Sequence, residues 1–89
     1  MREIRRSSRF KKDFKKAKKQ RKNIQLLKDV IDKLAEGQPL PRDLKDHKLV
    51  GEYKEYRELH LTTDWLLIYK ITPSELRLAR LGSHSELFS

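Results

Sequence analysis

Three histidines, His47, His60 and His84, are the side chains of this sequence best suited to proton transfer near neutral pH. Asp64 lies four residues after His60, and Arg80 lies four residues before His84. Transfer of a phosphodiester to a ribose 2′-hydroxyl needs a base for that hydroxyl, an acid for the departing 5′-oxygen and a fixed cation for the phosphorane. These residue types therefore favour cleavage of RNA, in which the substrate itself supplies the nucleophile.

Two aromatic residues, Trp65 and Phe88, lie close to this set in the sequence, and either ring could stack on a nucleobase. Simpler interpretations stay open at this point. Trp65 can belong to the core and Phe88 can pack against a chain end. Arg80 can form a surface ion pair of little energetic value with Glu58 or Glu75. A histidine in a small basic protein is also more often a packed or exposed side chain than a catalyst.

The sequence gives little support for a metal centre. It contains no cysteine, and its three histidines are spaced 13 and 24 residues apart, which offers no local chelate for zinc. The chemistry described above also needs no metal, because the substrate hydroxyl is the nucleophile. We therefore expect neither a metal nor another cofactor.

The N-terminal half has the pattern of one strand followed by two helices. Residues 2–6 suit an edge strand, and a serine at position 7 or 8 can cap a helix that begins near Arg9. Asn23 can cap a second helix, which Gly37 ends. Apolar residues recur at helical spacing, as Phe10, Phe14 and Ala17 in the first helix and as Ile24, Leu27, Ile31 and Leu34 in the second. This half is predicted to form a two-helix hairpin.

The C-terminal half changes to the alternation that is typical of strands. Three strands are predicted, over residues 56–62, 65–72 and 75–81, joined by tight turns. Ser83 and Glu86 have the spacing of a capping box, which predicts a short terminal turn of helix. The fold class is therefore α+β in the order β-α-α-β-β-β, with the two-helix hairpin packed on a small antiparallel sheet.

This topology brings the candidate residues to one edge of the sheet. The first and third strands of an antiparallel meander run in the same direction, so both end at the same edge. His60 and Arg80 lie near these ends, Asp64 lies in the turn after the first strand, and His84 lies just past the third. We expect these side chains to surround one patch of the surface. The length of 89 residues suits one domain, which we place at residues 1–89.

The net charge of +9 is concentrated in the first third of the chain. Residues 1–28 hold 13 lysines and arginines against two acids, whereas residues 29–89 hold nine against 11. A localised excess of this size favours a polyanionic partner such as a nucleic acid, although a solvated helix face is the simpler alternative. The longest apolar run, residues 65–69, is far shorter than the roughly 20 residues that span a bilayer. We expect a monomeric cytoplasmic protein that does not contact membranes.

Four segments of the sequence carry a resemblance to a known family. They cover residues 46–51, 56–60, 64–70 and 80–88, and read DHKLVG, YRELH, DWLLIYK and RLGSHSELF. In this order, they resemble the YafQ branch of the RelE/ParE toxin superfamily over essentially the whole chain. The resemblance implies a type II toxin–antitoxin toxin with a RelE-like fold, an mRNA interferase that enters the ribosomal A site and cuts mRNA there. Its implied partners are the ribosome, mRNA and an acidic antitoxin, through which alone it would contact operator DNA.

The same resemblance assigns roles to individual residues. The implied catalytic set is His47, His60, Asp64, Arg80 and His84, with Trp65 and Phe88 against the nucleotides. His84 would act as the general acid, and His60 or Asp64 as the base or its orienter. His47 would contact the phosphate, and Arg80 would hold the phosphorane.

A basic set in and just after the first helix is expected to bind ribosomal RNA rather than the cleaved mRNA. It comprises Arg9, Lys11, Lys12, Lys15, Lys16, Lys18, Lys19, Arg21 and Lys22. Two other functions stay open: a non-catalytic module that binds nucleic acid or the ribosome, and a ParE-like gyrase inhibitor. The gyrase-directed analogues in this superfamily lack the histidine set, which makes that alternative the weaker one.

Overall fold

A five-stranded sheet with two helices on one face forms the framework of the molecule. The structure is a computed structural model that describes residues 1–88, so that Ser89, the last residue of the expected domain, lies outside the described residues. The elements are β1 (Glu3–Arg6), α1 (Ser8–Lys19), α2 (Ile24–Glu36), β2 (His47–Lys48), β3 (Arg57–Thr62), β4 (Trp65–Ile71), β5 (Glu75–Gly82) and α3 (His84–Phe88). Single 3-10 turns, Arg42–Leu44 and Gly51–Tyr53, flank β2. The predicted α+β order is confirmed, with β2 as an addition.

The sheet has the strand order β1-β5-β4-β3-β2 and is mixed. Strands β3, β4 and β5 form the predicted antiparallel meander, and β2 extends it antiparallel to β3. The expectation of an antiparallel sheet does not extend to β1, which pairs parallel to β5 with Glu3 opposite Glu75. Parallel neighbours need a crossover, and here the helices and the whole meander lie between the two strands in the chain.

The predicted caps mark the start of both long helices and the end of α2, and α1 begins at Ser8, one residue before the predicted start. The Ser7 side chain accepts a hydrogen bond from the Phe10 backbone N at 3.0 Å, and the Asn23 side chain accepts one from the Leu26 N at 3.1 Å. Gly37 ends α2 in the left-handed conformation with φ +72°, which glycine adopts without steric cost. The two caps and this glycine fix the length of the hairpin.

The residues that α2 buries are not all those that the sequence predicts, because the helix is rotated about its axis relative to the predicted orientation. Its buried residues include Leu27 and Leu34 as predicted, but also Val30, whereas Ile24 and Ile31 are only partly buried. Val30 lies three residues from Leu27 and four from Leu34, so the same spacing rule fits it equally well. The choice depends on how the helix lies against the sheet, which periodicity alone does not determine.

The two faces of the sheet have different surroundings. The face toward α1 and α2 carries the main core, to which β3, β4 and β5 contribute Leu59, Leu61, Trp65, Leu67, Tyr69, Leu76, Leu78 and Leu81. The opposite face carries a small cluster of buried Leu66, Ile68 and Leu87. Within residues 1–88, no long helix covers this second face, so polar side chains there can reach a large ligand. Among the described residues, no helix is long and apolar enough to cross a membrane.

Candidate active site

The strand register places several candidate residues on the face of the sheet opposite the long helices. His47 lies opposite Glu58, Glu58 opposite Ile68, and Ile68 opposite Arg80, which makes one row across four strands. Directly opposite residues project from the same face of a sheet. His60 lies two positions after Glu58 and therefore shares that face. His47, Glu58, His60 and Arg80 therefore lie on one face of the sheet, beside the apolar cluster of Leu66, Ile68 and Leu87.

The three histidines form a continuous surface cluster. The ring centroids of His47 and His60 are 6.4 Å apart, and those of His60 and His84 are 6.2 Å apart. Phe88 extends the cluster, because its ring centroid lies 5.3 Å from that of His84. The structure thus brings His60 and His84 together, as the topology predicts, and places His47 beside them. Their individual roles stay predictions.

A glutamate that the sequence did not single out for catalysis lies between two of the histidines. Glu58 is 3% exposed, and its Oε1 lies 3.6 Å from His47 Nε2 and 3.5 Å from His60 Nε2. Burial strengthens its attraction for a positive charge, because little water lies between the groups. A carboxylate in this position stabilises the charge that either imidazole acquires when it takes a proton. The alternation that puts Glu58 and His60 on one face of β3 was the available signal.

Arg80 is held from the side of helix α1. Its Nε donates to Asp13 Oδ2 at 2.8 Å and its Nη2 to Oδ1 at 3.4 Å, and the Leu81 backbone N also donates to Oδ2. Asp13 reaches the sheet there because β1 pairs with β5 only as far as Leu78. The hydrogen bond to Asp13 raises the pKa of Arg80, and a fixed guanidinium results. The alternative of a surface ion pair with Glu58 or Glu75 is wrong.

The helix that carries His84 is anchored at its start by three contacts. Asp64 Oδ1 accepts a hydrogen bond from the His84 backbone N at 3.1 Å. Ser83 and Glu86 form the predicted capping box, in which the Ser83 N donates to Glu86 Oε1 and the Glu86 N to Ser83 Oγ. Lys16 of α1 also donates to Glu86, and this contact is the main reason that the pKa of Glu86 falls to about 2. In this structure, Asp64 positions the backbone of His84.

The predicted contact of Trp65 with nucleotides requires a correction. Trp65 is 1% exposed and belongs to the core on the helix side of the sheet, so its ring offers no surface for stacking. The alternation of β4 explains this placement, because Trp65, Leu67 and Tyr69 all face the helices. The core interpretation that the sequence left open is the one that the structure supports.

Phe88 has the opposite placement. It is 44% exposed and lines an open groove of about 420 Å³ beside the histidine cluster. The Tyr53 ring contacts it edge to face, with the centroids 6.3 Å apart. The groove is lined by Arg9, Val50, Tyr53, Arg80, Glu86, Leu87 and Phe88. Two cations and two aromatic rings around one groove suit the phosphates and bases of a single RNA strand.

The expected RNA-binding residues of the first helix are all exposed. Two of them also make contacts within the protein. Lys16 pairs with Glu86, and the Lys18 Nζ lies 5.6 Å from the centroid of the Phe14 ring. Arg9 is distinct from the rest because it lines the groove beside Arg80. The basic helix surface is therefore continuous with the histidine face.

Among the described residues, no group of three or more His, Cys, Asp or Glu side chains is arranged to hold a metal ion. His47 and His60 lie beside Glu58, whose Oε1 is 3.6 Å and 3.5 Å from their Nε2 atoms, but the three side chains do not form such a group. The absence of a metal from the chemistry stays a prediction.

With this geometry established, comparison with known proteins identifies the family. A model of the family described as bacterial toxin of type II toxin-antitoxin system, YafQ, matches residues 2–89. The chain belongs to the YafQ toxin family. The curated mRNA interferase toxin YafQ of Escherichia coli K12 is 43% identical over 88 residues, which cover 98% of this chain and 96% of the relative. The predicted family is confirmed.

Solved structures of similar proteins agree with this assignment to the YafQ family. YafQ in a crystal structure of the E. coli DinJ–YafQ complex is 42% identical, has a TM-score of 0.92 and matches over 100% of both chains. A metal-bound toxin from Helicobacter pylori is 47% identical, has a TM-score of 0.93 and matches over 99% of this chain and 100% of its own. The RelE-like arrangement of strands and helices predicted above is therefore confirmed.

Proposed function

We propose that this chain is an mRNA interferase, which cuts mRNA on the ribosome by transfer of the phosphodiester to the ribose 2′-hydroxyl. The observation that carries the proposal is the open row of three imidazoles beside a buried carboxylate, next to a groove with Arg80 and Phe88. This set supplies proton acceptors, proton donors and a cation, and it needs no nucleophile from the protein. The E. coli relatives that carry the name mRNA interferase support the same activity.

In the proposed reaction, His60 takes the proton of the 2′-hydroxyl as that oxygen attacks the phosphorus. His60 is the central imidazole, and the Glu58 carboxylate 3.5 Å from its Nε2 offsets the charge that it gains. His84, exposed at the start of α3, gives a proton to the departing 5′-oxygen. The products are a 2′,3′-cyclic phosphate and a 5′-hydroxyl end. His47 contacts the phosphate from the other side of Glu58.

Arg80 stabilises the additional negative charge of the phosphorane. Its guanidinium is fixed by Asp13 and lines the groove, so it need not reorganise during the reaction. Phe88 and Tyr53 provide a surface on which an unstacked base can lie.

The ribosome contributes the binding energy that such a small enzyme lacks. The exposed basic residues of α1 lie on an element that also contacts Arg80 and α3, so that binding of rRNA phosphates and placement of the mRNA would occur together. An acidic antitoxin is an expected partner of this chain, and the complex that the E. coli relative YafQ forms with DinJ supports this expectation. Contact with operator DNA would then occur only through the antitoxin. The expected location of the protein is the cytoplasm.

The test is cleavage of mRNA on programmed ribosomes, with analysis of the new ends. We expect 2′,3′-cyclic phosphate ends, loss of at least 100-fold in rate for His84→Ala, and an unchanged rate for the surface control Gln25→Ala. A 3′-hydroxyl product, or a His84→Ala variant that cuts at the wild-type rate, would contradict the mechanism.

Two further arms of this assay separate the alternatives. Toxin treated with a chelator and then freed of it should cut at the untreated rate, because no step needs a metal. If His47→Ala, His60→Ala and His84→Ala together leave growth inhibition intact, the protein acts as a binding module. If supercoiling by gyrase is inhibited instead, the protein acts on DNA topology.

A further inference from the structure

The strand that carries His47 is too short to hold itself in place. Strand β2 consists of His47 and Lys48 alone, and it pairs with β3 through only two residue pairs, His47 with Glu58 and Lys48 with Arg57. It lies at the edge of the sheet, and the side chain of His47 is 51% exposed. Some other contact must therefore fix this segment if His47 is to stay beside Glu58.

Such a contact exists on the opposite face of the sheet, one residue before His47. Asp46 Oδ1 accepts a hydrogen bond from the Tyr69 hydroxyl at 2.5 Å and another from the Arg57 Nε at 3.1 Å. Tyr69 is 0% exposed, and its ring packs in the core on the helix side. A buried hydroxyl that loses its partner is costly because water cannot replace that partner, so this bond favours one position of Asp46.

The hydrogen bonds of Asp46 also restrain His47, because the two residues are adjacent in the chain. Asp46 contacts Tyr69 and Arg57 on the helix side of the sheet, whereas His47, the next residue, lies beside Glu58 on the opposite face. The His47 ring is also held from its own side, because its Nδ1 donates to the Lys45 carbonyl oxygen at 2.7 Å. A carbonyl only accepts, so Nδ1 carries the proton and Nε2 faces Glu58.

We propose that Tyr69 and Asp46 are positioning residues that hold the His47 imidazole in its tautomer and place in the active site. They do so through the backbone of the two-residue strand, without touching the substrate. Burial and the Asp46 carboxylate keep the pKa of the Tyr69 hydroxyl well above its ordinary value, so the hydroxyl remains a donor at any pH suitable for the assay. The activity readout of this proposal rests on the proposed function, whereas its spectroscopic readout does not.

The first test removes the Tyr69 hydroxyl alone. In Tyr69→Phe, we expect the histidine ¹⁵N spectrum of His47 to change from one dominant tautomer to a mixture, while His84 keeps its signals. The matched control is Tyr56→Phe, a tyrosine on the other face of the sheet, which should leave His47 unchanged. An unaltered His47 spectrum in Tyr69→Phe overturns the proposal, whether or not the protein cuts RNA.

The second test is a double-mutant cycle in the ribosome assay. Tyr69→Phe should lower kcat about tenfold with little change in KM, and should cause no further loss in a His47→Ala background. A further tenfold loss in that background would mean that Tyr69 acts through general stability, and would overturn the proposal. Asp46→Asn serves as a second variant, since it keeps the size of the side chain but removes the charge that Arg57 and Tyr69 bind. Absence of cutting by the wild type would instead count against the proposed function.

Discussion

Glu58 is the residue on which the electrostatics of the histidine cluster most depends. Its carboxylate is buried, lies within 3.6 Å of two imidazole nitrogens and belongs to a central part of the sheet that cannot shift easily. Burial of a charge costs stability unless nearby groups compensate it. Glu58 lies between two candidate catalytic histidines, so we assign its burial to the chemistry of the cluster and not to folding.

This interpretation predicts that Glu58→Gln lowers cleavage at least 100-fold while the free energy of unfolding stays the same or rises. The amide keeps the shape but cannot offset the charge of a protonated His60. The measurement combines the ribosome assay with urea unfolding. Glu55→Gln is the matched control, because Glu55 pairs with Lys70 at an exposed site. Activity of Glu58→Gln within threefold of the wild type would refute this role.

For individual residues, the sequence predicted that histidines would come together, but it did not predict the contacts of the residues around them. Convergence of His60 and His84 follows from strand direction, which a meander determines locally. The pairing of Arg80 with Asp13 joins residues 67 positions apart, and no local pattern reports such a contact. Trp65 was ambiguous for another reason, since an aromatic residue next to a catalytic candidate is compatible with both the core and a binding surface.

At the scale of elements, helix α3 depends on α1 for its position. Glu86 belongs to the capping box of α3 and also pairs with Lys16 of α1. Gly82 permits this close approach, because a Cβ at that position would lie 3.2 Å from Glu86 Oε1. The five-residue helix with His84 and Phe88 is therefore held by its surroundings, since a helix of this length is not stable alone.

The Lys16–Glu86 pair should make part of the stability dependent on pH. The folded-state pKa of Glu86 is about 2, below its ordinary value of 4.5, so its contribution is present above about pH 4.5 and is lost as the pH falls toward 2. Glu86→Gln should therefore be less stable than the wild type at pH 7, and the difference should disappear near pH 2. Because glutamine also serves in a capping box, this variant isolates the charge. A difference that is independent of pH would contradict the assignment.

The elements themselves were predictable where their signals are local. Ser7, Asn23 and the Ser83–Glu86 box marked helix ends correctly, because caps act within one turn. Strand β2 was not predicted, because two residues are too few to show the alternation of a strand. The parallel pairing of β1 with β5 also could not be read locally, since it joins the two ends of the sequence.

In the whole molecule, the basic side of α1 and the histidine face form one continuous surface. The basic side of α1 meets the groove at Arg9, so the basic residues of this helix border the histidine face instead of forming a separate tether. Localised charge of this kind accelerates association and makes it sensitive to salt.

Substitution of a single exposed lysine of α1 should weaken ribosome binding without changing the cutting step. For Lys12→Ala, we expect weaker binding and a slope of log affinity against log salt that is smaller by about one, as one phosphate contact is lost. Lys28→Ala, which removes an exposed charge on α2, is the control. The check is ribosome binding at several salt concentrations, and equal slopes for Lys12→Ala and the wild type would refute the contact.

The parallel pairing of β1 with β5 has a consequence for how the protein is made. Strand β1 leaves the ribosome before every other strand, but β5, with which it pairs in the sheet, follows all the others in the chain. The sheet cannot close, and Arg80 and His84 cannot join the other site residues, until β5 has emerged. A nascent chain therefore cannot assemble the histidine cluster before β5 and α3 have left the exit tunnel, even when every earlier strand and both long helices have already been synthesised.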